Sequence, residues 1–224
     1  LRLVLWTLTV PTEPFYFSIL DRPYDPLRTW DTLIARHKRV VGIGSTDAHE
    51  FHAVGMKFAP YDAMFQIVRT HLLIPSSTPV SDTAIYEALQ QGHAYLGFHL
   101  ITEVNNFSFF AEDGAQVLGI MGDEIPMTPR LHLTAALPGY AQIALFKDGI
   151  QVDTTVGRML RVAVSEPGAY RLEAMRHNKP WIISNPIYVR PASESPEAPP
   201  PTPEFPASES PSPASPEPPS NDSP

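Results

Sequence analysis

From residue 131 to residue 174, apolar side chains recur at every second position: Leu131, Leu133 and Ala135, then Ile143 and Leu145, Ile150 and Val152, Leu160, Val162 and Val164, and finally Tyr170, Leu172 and Ala174. A period of two sends alternate side chains to opposite faces, so this half of the chain is restricted to antiparallel strands with one buried face. Turn chemistry falls between the runs. Asp148-Gly149 suits a two-residue hairpin, and Pro167-Gly168 suits the central positions of a type II turn. Adding FSFF at 107–110 and the closing NPIYV predicts about seven short strands, an all-β immunoglobulin-like sandwich over residues 100–190.

The first hundred residues read differently. Leu27, Trp30, Leu33 and Ile34 follow Asp25-Pro26 at helical spacing, and the apolar run Val40, Val41, Ile43 comes after them, as in a parallel strand covered on both faces. Further helices are predicted over 62–71, with Met64, Phe65, Ile67 and Val68 inward, and from Ser81 or Asp82 to Gln91, stopped by Gly92. Residues 1–99 are therefore expected to be part of an α/β fold. The opening LRLVLWTLTV is too short to span a bilayer and lacks a signal-peptide cleavage pattern, and it reads as a buried strand.

From Pro191 onward the chain holds 13 of its 26 prolines, six acidic residues and no Lys or Arg, a composition expected to be disordered over 191–224. Of the net charge of −8, −6 resides there, leaving the first 190 residues at −2. A nearly neutral body with no basic patch argues against nucleic acid or an anionic membrane as the main partner. The absence of cysteine excludes disulfides, thiolate metal sites and cysteine nucleophiles.

The run VVGIGSTDAHE, residues 40–50, is where chemistry enters. In extended backbone Asp47 and His49 project to the same side, just past the end of a predicted strand, where α/β enzymes place catalytic groups. A carboxylate with an imidazole suits Zn, Mn or Fe, ions that convert water to a nucleophile near neutral pH. The plainer alternative has Asp47 capping the loop and His49 bonded to backbone.

RVVGIGSTDAHE resembles the last metal-binding motif of the PHP (polymerase and histidinol phosphatase) superfamily, with Thr46 as an extra residue between the serine and the aspartate. WDTLIARHKR, FQIVRTHLLI, IYEALQQGHAYLG, MGDEI, GAYRLEA and WIISNPIYVR are similar, in order and spacing, to a carbaryl hydrolase-like bacterial branch with a C-terminal β domain. The resemblance runs from about Trp30 to Arg190. It implies a distorted TIM-like barrel, partial in this chain, with two or three divalent ions in its cleft and Asp47 and His49 as the last ligands. A His-x-His pair supplies earlier ligands in that superfamily and is absent here, so the remaining ligands, and the N-terminal part of the same polypeptide, are expected upstream of Leu1. The implied function is metal-dependent hydrolysis of a small phosphate ester. A carbamate or carboxylic ester hydrolase is one alternative, and a non-enzymatic half-barrel with a binding sandwich is another.

Glu50 and His52 beside the motif, and His71 in the shared RTH, are candidates to support a ligand or meet substrate, against readings as loop polarity and a helix-end histidine. Arg69 and Lys57 could meet a phosphate, or simply be surface charges. His37, His93, His99 and His132 read as structural, Asp123 and Glu124 as turn residues, and Asn185-Pro186 as a bend. Ser45 with Asp47 and His49 forms no hydrolase triad, because triad members converge from separate elements. Gly42-x-Gly44 lacks the third glycine of a phosphate loop.

Overall fold

The computed structural model describes residues 12–192 apart from 37, 54 and 55; side chains are described from residue 14 on, excluding 51–58. The apolar run at 1–10, the proline-rich tail beyond 192 and His37 lie outside that range, as do the side chains of His52 and Lys57. The elements are α1 (Thr12–Ile19), α2 (Tyr24–Ile34), β1 (Phe51–Ala53), β2 (Met56–Phe58), α3 (Tyr61–Met64), β3 (Arg69–Leu72), α4 (Asp82–Gln91), β4 (Ala94–Gly97), β5 (Ser108–Asp113), β6 (Gln116–Ile120), β7 (Glu124–Pro126), β8 (Leu131–Lys147), β9 (Ile150–Ala163), β10 (Gly168–Arg176), β11 (Lys179–Ser184) and β12 (Ile187–Arg190).

The architecture is mostly β, which corrects both expected fold classes. Ten strands form one curled sheet, an open half-barrel, in the order β3-β4-β11-β10-β8-β5-β6, with β9 on β8 and β12 joining β10 to β7. Only the β12–β7 pairing is parallel. The expected TIM-like α/β barrel is absent because β3 and β4 pair antiparallel with each other, and β4 pairs antiparallel with β11. A TIM-type barrel is built from parallel strands, each followed by a helix. The helix expected over 62–71 is likewise replaced by the single turn of α3 and by β3. There Thr70 pairs with Leu96 and His71 with Tyr95, and this ladder overrides a helical spacing too short to resist it.

Among the described residues the strands of 108–190 all belong to one sheet rather than two, so the immunoglobulin-like sandwich is corrected as well. The short strands expected at 131–135 and 143–145 are one strand, β8, whose first half pairs with β5 and second half with β10. Its register against β9 slips between Ala136 and Ala141, across Pro138-Gly139. Such an irregularity bends a long strand and lets one sheet curl around its own core. That core holds Phe109, Leu133, Ile143, Leu145, Leu172 and Trp181, each 1% exposed or less.

Several local readings match the structure. Asp148 and Gly149 have φ of 50° and 84°, positive at both turn positions as a type I′ hairpin requires. The α4 helix starts at Ser81, whose Oγ accepts from the Ala84 amide at 3.2 Å, and ends at left-handed Gly92. In α2, Leu27, Trp30 and Ile34 are buried as spaced, although Pro23 rather than Asp25 holds the cap position and no side chain caps it. Among the described residues no helix is long and apolar enough to cross a membrane.

Candidate functional site

Residues 40–44 belong to no helix or ladder; side chains from elsewhere in the chain bond their backbone. Val40 accepts at its carbonyl from Trp30 Nε1 at 2.8 Å. The Gly42 amide donates to Asn185 Oδ1 at 2.7 Å, and Asn185 Nδ2 returns a bond to the Gly42 carbonyl at 3.0 Å. Thr70 Oγ1 treats Gly44 the same way, accepting at 2.9 Å and donating at 3.1 Å. The two glycines are needed for this approach: a Cβ at Gly42 would sit 2.7 Å from the Trp30 ring, and one at Gly44 would sit 2.9 Å from Val68. Among the described residues, the backbone of Val41 and Ile43 has no hydrogen-bond partner. Against this segment lies a groove of about 780 Å³, lined by Leu27, Trp30, Ile43, Val68, Leu96 and Phe98 among others, with Asp21 and Asp25 but no Lys or Arg in its lining.

Asp47 and His49 stand at the end of this segment, and the structure brings them together. Asp47 adopts a left-handed φ of 48°, which turns its carbonyl towards the His49 ring. His49 Nδ1 is 2.5 Å from that carbonyl oxygen and 3.6 Å from the Asp47 carboxylate. A carbonyl only accepts, so Nδ1 carries the proton, and in the neutral ring the lone pair is on Nε2. That tautomer is the one a metal-ligating histidine uses, with the second nitrogen tied down by a carbonyl. Both side chains are open to solvent, at 93% and 77% exposure. The backbone-bonded histidine foreseen as the plain alternative is thus also present, but exposed, and its bond leaves a ligand nitrogen free.

Of the other candidates with described side chains, Glu50 and His71 have partners of their own. Glu50 Oε2 accepts from the Tyr61 amide at 3.1 Å, so it caps the first turn of α3. His71 lies on β3 next to Thr70 and therefore faces the opposite side of the strand from Gly44. There its Nε2 meets His99 Nε2 at 2.8 Å, while its ring stacks on Tyr95 with centroids 4.6 Å apart. Among the described residues no three His, Cys, Asp or Glu side chains gather as a metal site, so the description of this chain as metal-binding is corrected: Asp47 and His49 stand without a third donor of these types.

Desolvation lowers the pKa of both His71 and His99, and the neighbouring Arg69 lowers both further. The folded state therefore resists protonation that the unfolded chain accepts, so this pair favours folding above the usual histidine pKa of 6.5 and loses that contribution as pH falls below it. Thermal melts should show Tm dropping between pH 7 and pH ~5, with His99→Gln flattening the drop. An identical pH profile in that variant would remove the pair from the account.

Sequence reasoning missed Asn185 and Thr70 as holders of the motif. Asn185 was legible only as a bend before proline, yet it is 1% exposed, and a buried amide must find partners, here Gly42 and Ala94. Nor did it foresee that His93 would pair with Asp123, His93 Nε2 lying 2.7 Å from Asp123 Oδ1. No family model, no curated protein and no solved structure matches the chain.

Proposed function

We propose that this chain contributes Asp47 and His49 to the metal centre of a metal-dependent ester hydrolase using Zn, Mn or Fe. The observation that carries the reading is the His49 Nδ1 bond to the Asp47 carbonyl, which leaves Nε2 free beside an exposed carboxylate. Two donors of this kind fit a borderline divalent ion but do not complete its coordination, so the other donors come from outside the described residues. When bound, ions of this class activate water and polarise the ester. The chain's own contribution is to position the two donors through the Asn185 and Thr70 bonds and to offer the adjoining groove to the substrate.

The groove also bears on substrate class. Its walls are largely apolar and carry no Lys or Arg, which favours a neutral carbamate or carboxylic ester. A phosphate ester remains the reading in which the ions alone neutralise the substrate's charge.

Titration with Mn²⁺ followed by NMR should broaden the signals of residues 45–50 first. Asp47→Asn and His49→Gln should each weaken that effect by about tenfold or more. Broadening centred elsewhere, or unchanged in both variants, would defeat the proposal. In protein that also carries the remaining donors, p-nitrophenyl esters of acetate, a carbamate and phosphate assayed with Mn²⁺ then separate the substrate classes.

A further inference from the structure

A second cleft, of about 640 Å³, opens on the other part of the sheet, between the residues that follow β3 and the edge strand β6. Its walls include Leu72, Leu73, Phe110, Val117, Leu118 and Ile120, and its polar end is formed by His93 and Asp123. Val117 is 56% exposed on this edge. The lining holds no Lys or Arg.

The polar end is built rather than incidental. His93 precedes β4, where its amide donates to Ala88 and its carbonyl accepts from Leu73, both within 2.9 Å. Asp123 sits in the turn after β6; its Oδ2 accepts from the Ile120 amide at 2.8 Å, and its Oδ1 faces His93 Nε2 at 2.7 Å. Burial works to raise the Asp123 carboxyl, but the bonds from His93 and the Ile120 amide, with Arg39 nearby, hold it below the usual carboxylate range. An ionised carboxylate only accepts, so the proton between them is on His93 Nε2. When the ring is neutral, Nδ1 carries the lone pair, an acceptor with no partner among the described residues.

We propose that this cleft binds a small, largely apolar, neutral molecule bearing one hydroxyl group, which donates its hydrogen bond to His93 Nδ1 while its hydrocarbon part lies against Leu118 and Val117. The volume lies within the range of small-molecule sites. The single carboxylate and the lack of any cation in the lining select against anions. The proposal is independent of the Asp47 and His49 reading.

The test uses 4-propylphenol and propylbenzene, which differ by one hydroxyl, titrated into the full chain at pH 8 and followed by amide shifts. The phenol should perturb Leu118, Ile120 and His93 and bind about tenfold tighter than propylbenzene, the ratio one hydrogen bond supplies. His93→Phe should bring the phenol down to the hydrocarbon's affinity. Equal binding of the two compounds, an unchanged phenol affinity in His93→Phe, or shifts confined to other regions would overturn the proposal. If His93→Phe does not fold, Val117→Trp decides on an exposed edge: it should fill the cleft and abolish phenol binding, and retained binding would sink the site.

Discussion

Arg171→Met is expected to lower the free energy of unfolding by about 3–5 kcal/mol, measured by urea denaturation, the usual cost of removing one partner from a buried ion pair. Arg171 is 1% exposed and holds two carboxylates at once. Its Nε and Nη2 each donate to Asp31 at 2.7 Å, its Nη1 donates to Glu173 Oε1 at 2.5 Å, and its guanidinium lies 4.5 Å from the Phe146 ring centroid. Glu173 keeps a second partner, Arg22, through two bonds of 2.6 Å. The Asp31 carboxylate has no other hydrogen bond among the described residues, so the variant leaves it only 16% exposed, with Arg22 as a charge nearby but not bonded to it. Asp31 is on α2 and Arg171 on β10, so this charge cluster fastens the helix to the sheet.

The same cluster sets an acid limit. Burial tends to raise the Glu173 carboxyl, but Arg22 and Arg171 hold it below its usual 4.5. A depressed folded pKa gives stability that is present above the unfolded value and lost as pH falls through the folded one. Wild type should therefore lose stability below about pH 4.5, and Arg171→Met should lose less over that interval. Adding Asp31→Leu to Arg171→Met should recover part of the loss, because an apolar replacement removes the stranded charge. A loss under ~1 kcal/mol in Arg171→Met would mean that the cluster behaves as a solvent-screened surface pair.

What the sequence could disclose follows the range of the forces involved. Local chemistry was legible: the Asp148-Gly149 turn, the Ser81 cap, the Gly92 stop and the buried face of α2 all depend on neighbours within a few residues. The alternation of β8 and β10 was legible too, since period two survives any tertiary arrangement. The assembly of these pieces was not. Whether alternating strands form two sheets or one curled sheet depends on the bend at Pro138-Gly139 and on partners scores of residues away, and RTHL reads as a helix end until AYLG is set beside it. The site divides the same way. Asp47 and His49 were visible as a pair because they are two residues apart, whereas Asn185 reaches Gly42 from 143 residues away, and no local pattern encodes that.

Gly122→Ala should be nearly as damaging as the loss of Arg171, for a reason of space rather than charge. Gly122 has φ of 98°, a left-handed conformation that L side chains rarely adopt. A Cβ there would lie 2.3 Å from the Gln91 carbonyl oxygen and 2.5 Å from the Gly92 carbonyl carbon, both main chain at the end of α4. Backbone cannot rotate aside as a side chain can, so the turn after β6 and the end of α4 must separate. The contacts that join them would go as well: the Gly122 amide donates to the Pro186 carbonyl at 2.7 Å, and Arg39 Nη2 bridges the carbonyls of Gln91 and Gly122 at 2.8 and 2.9 Å. Strain of ~1–3 kcal/mol for the backbone, added to the loss of these bonds, predicts a fall of about 3 kcal/mol or more in unfolding free energy. Because Asn185 adjoins Pro186 and holds Gly42, the damage should also reach the 40–49 segment, seen as altered amide shifts at residues 42–49. A variant with native stability and native shifts there would show that the turn yields more easily than main chain packed at this distance should.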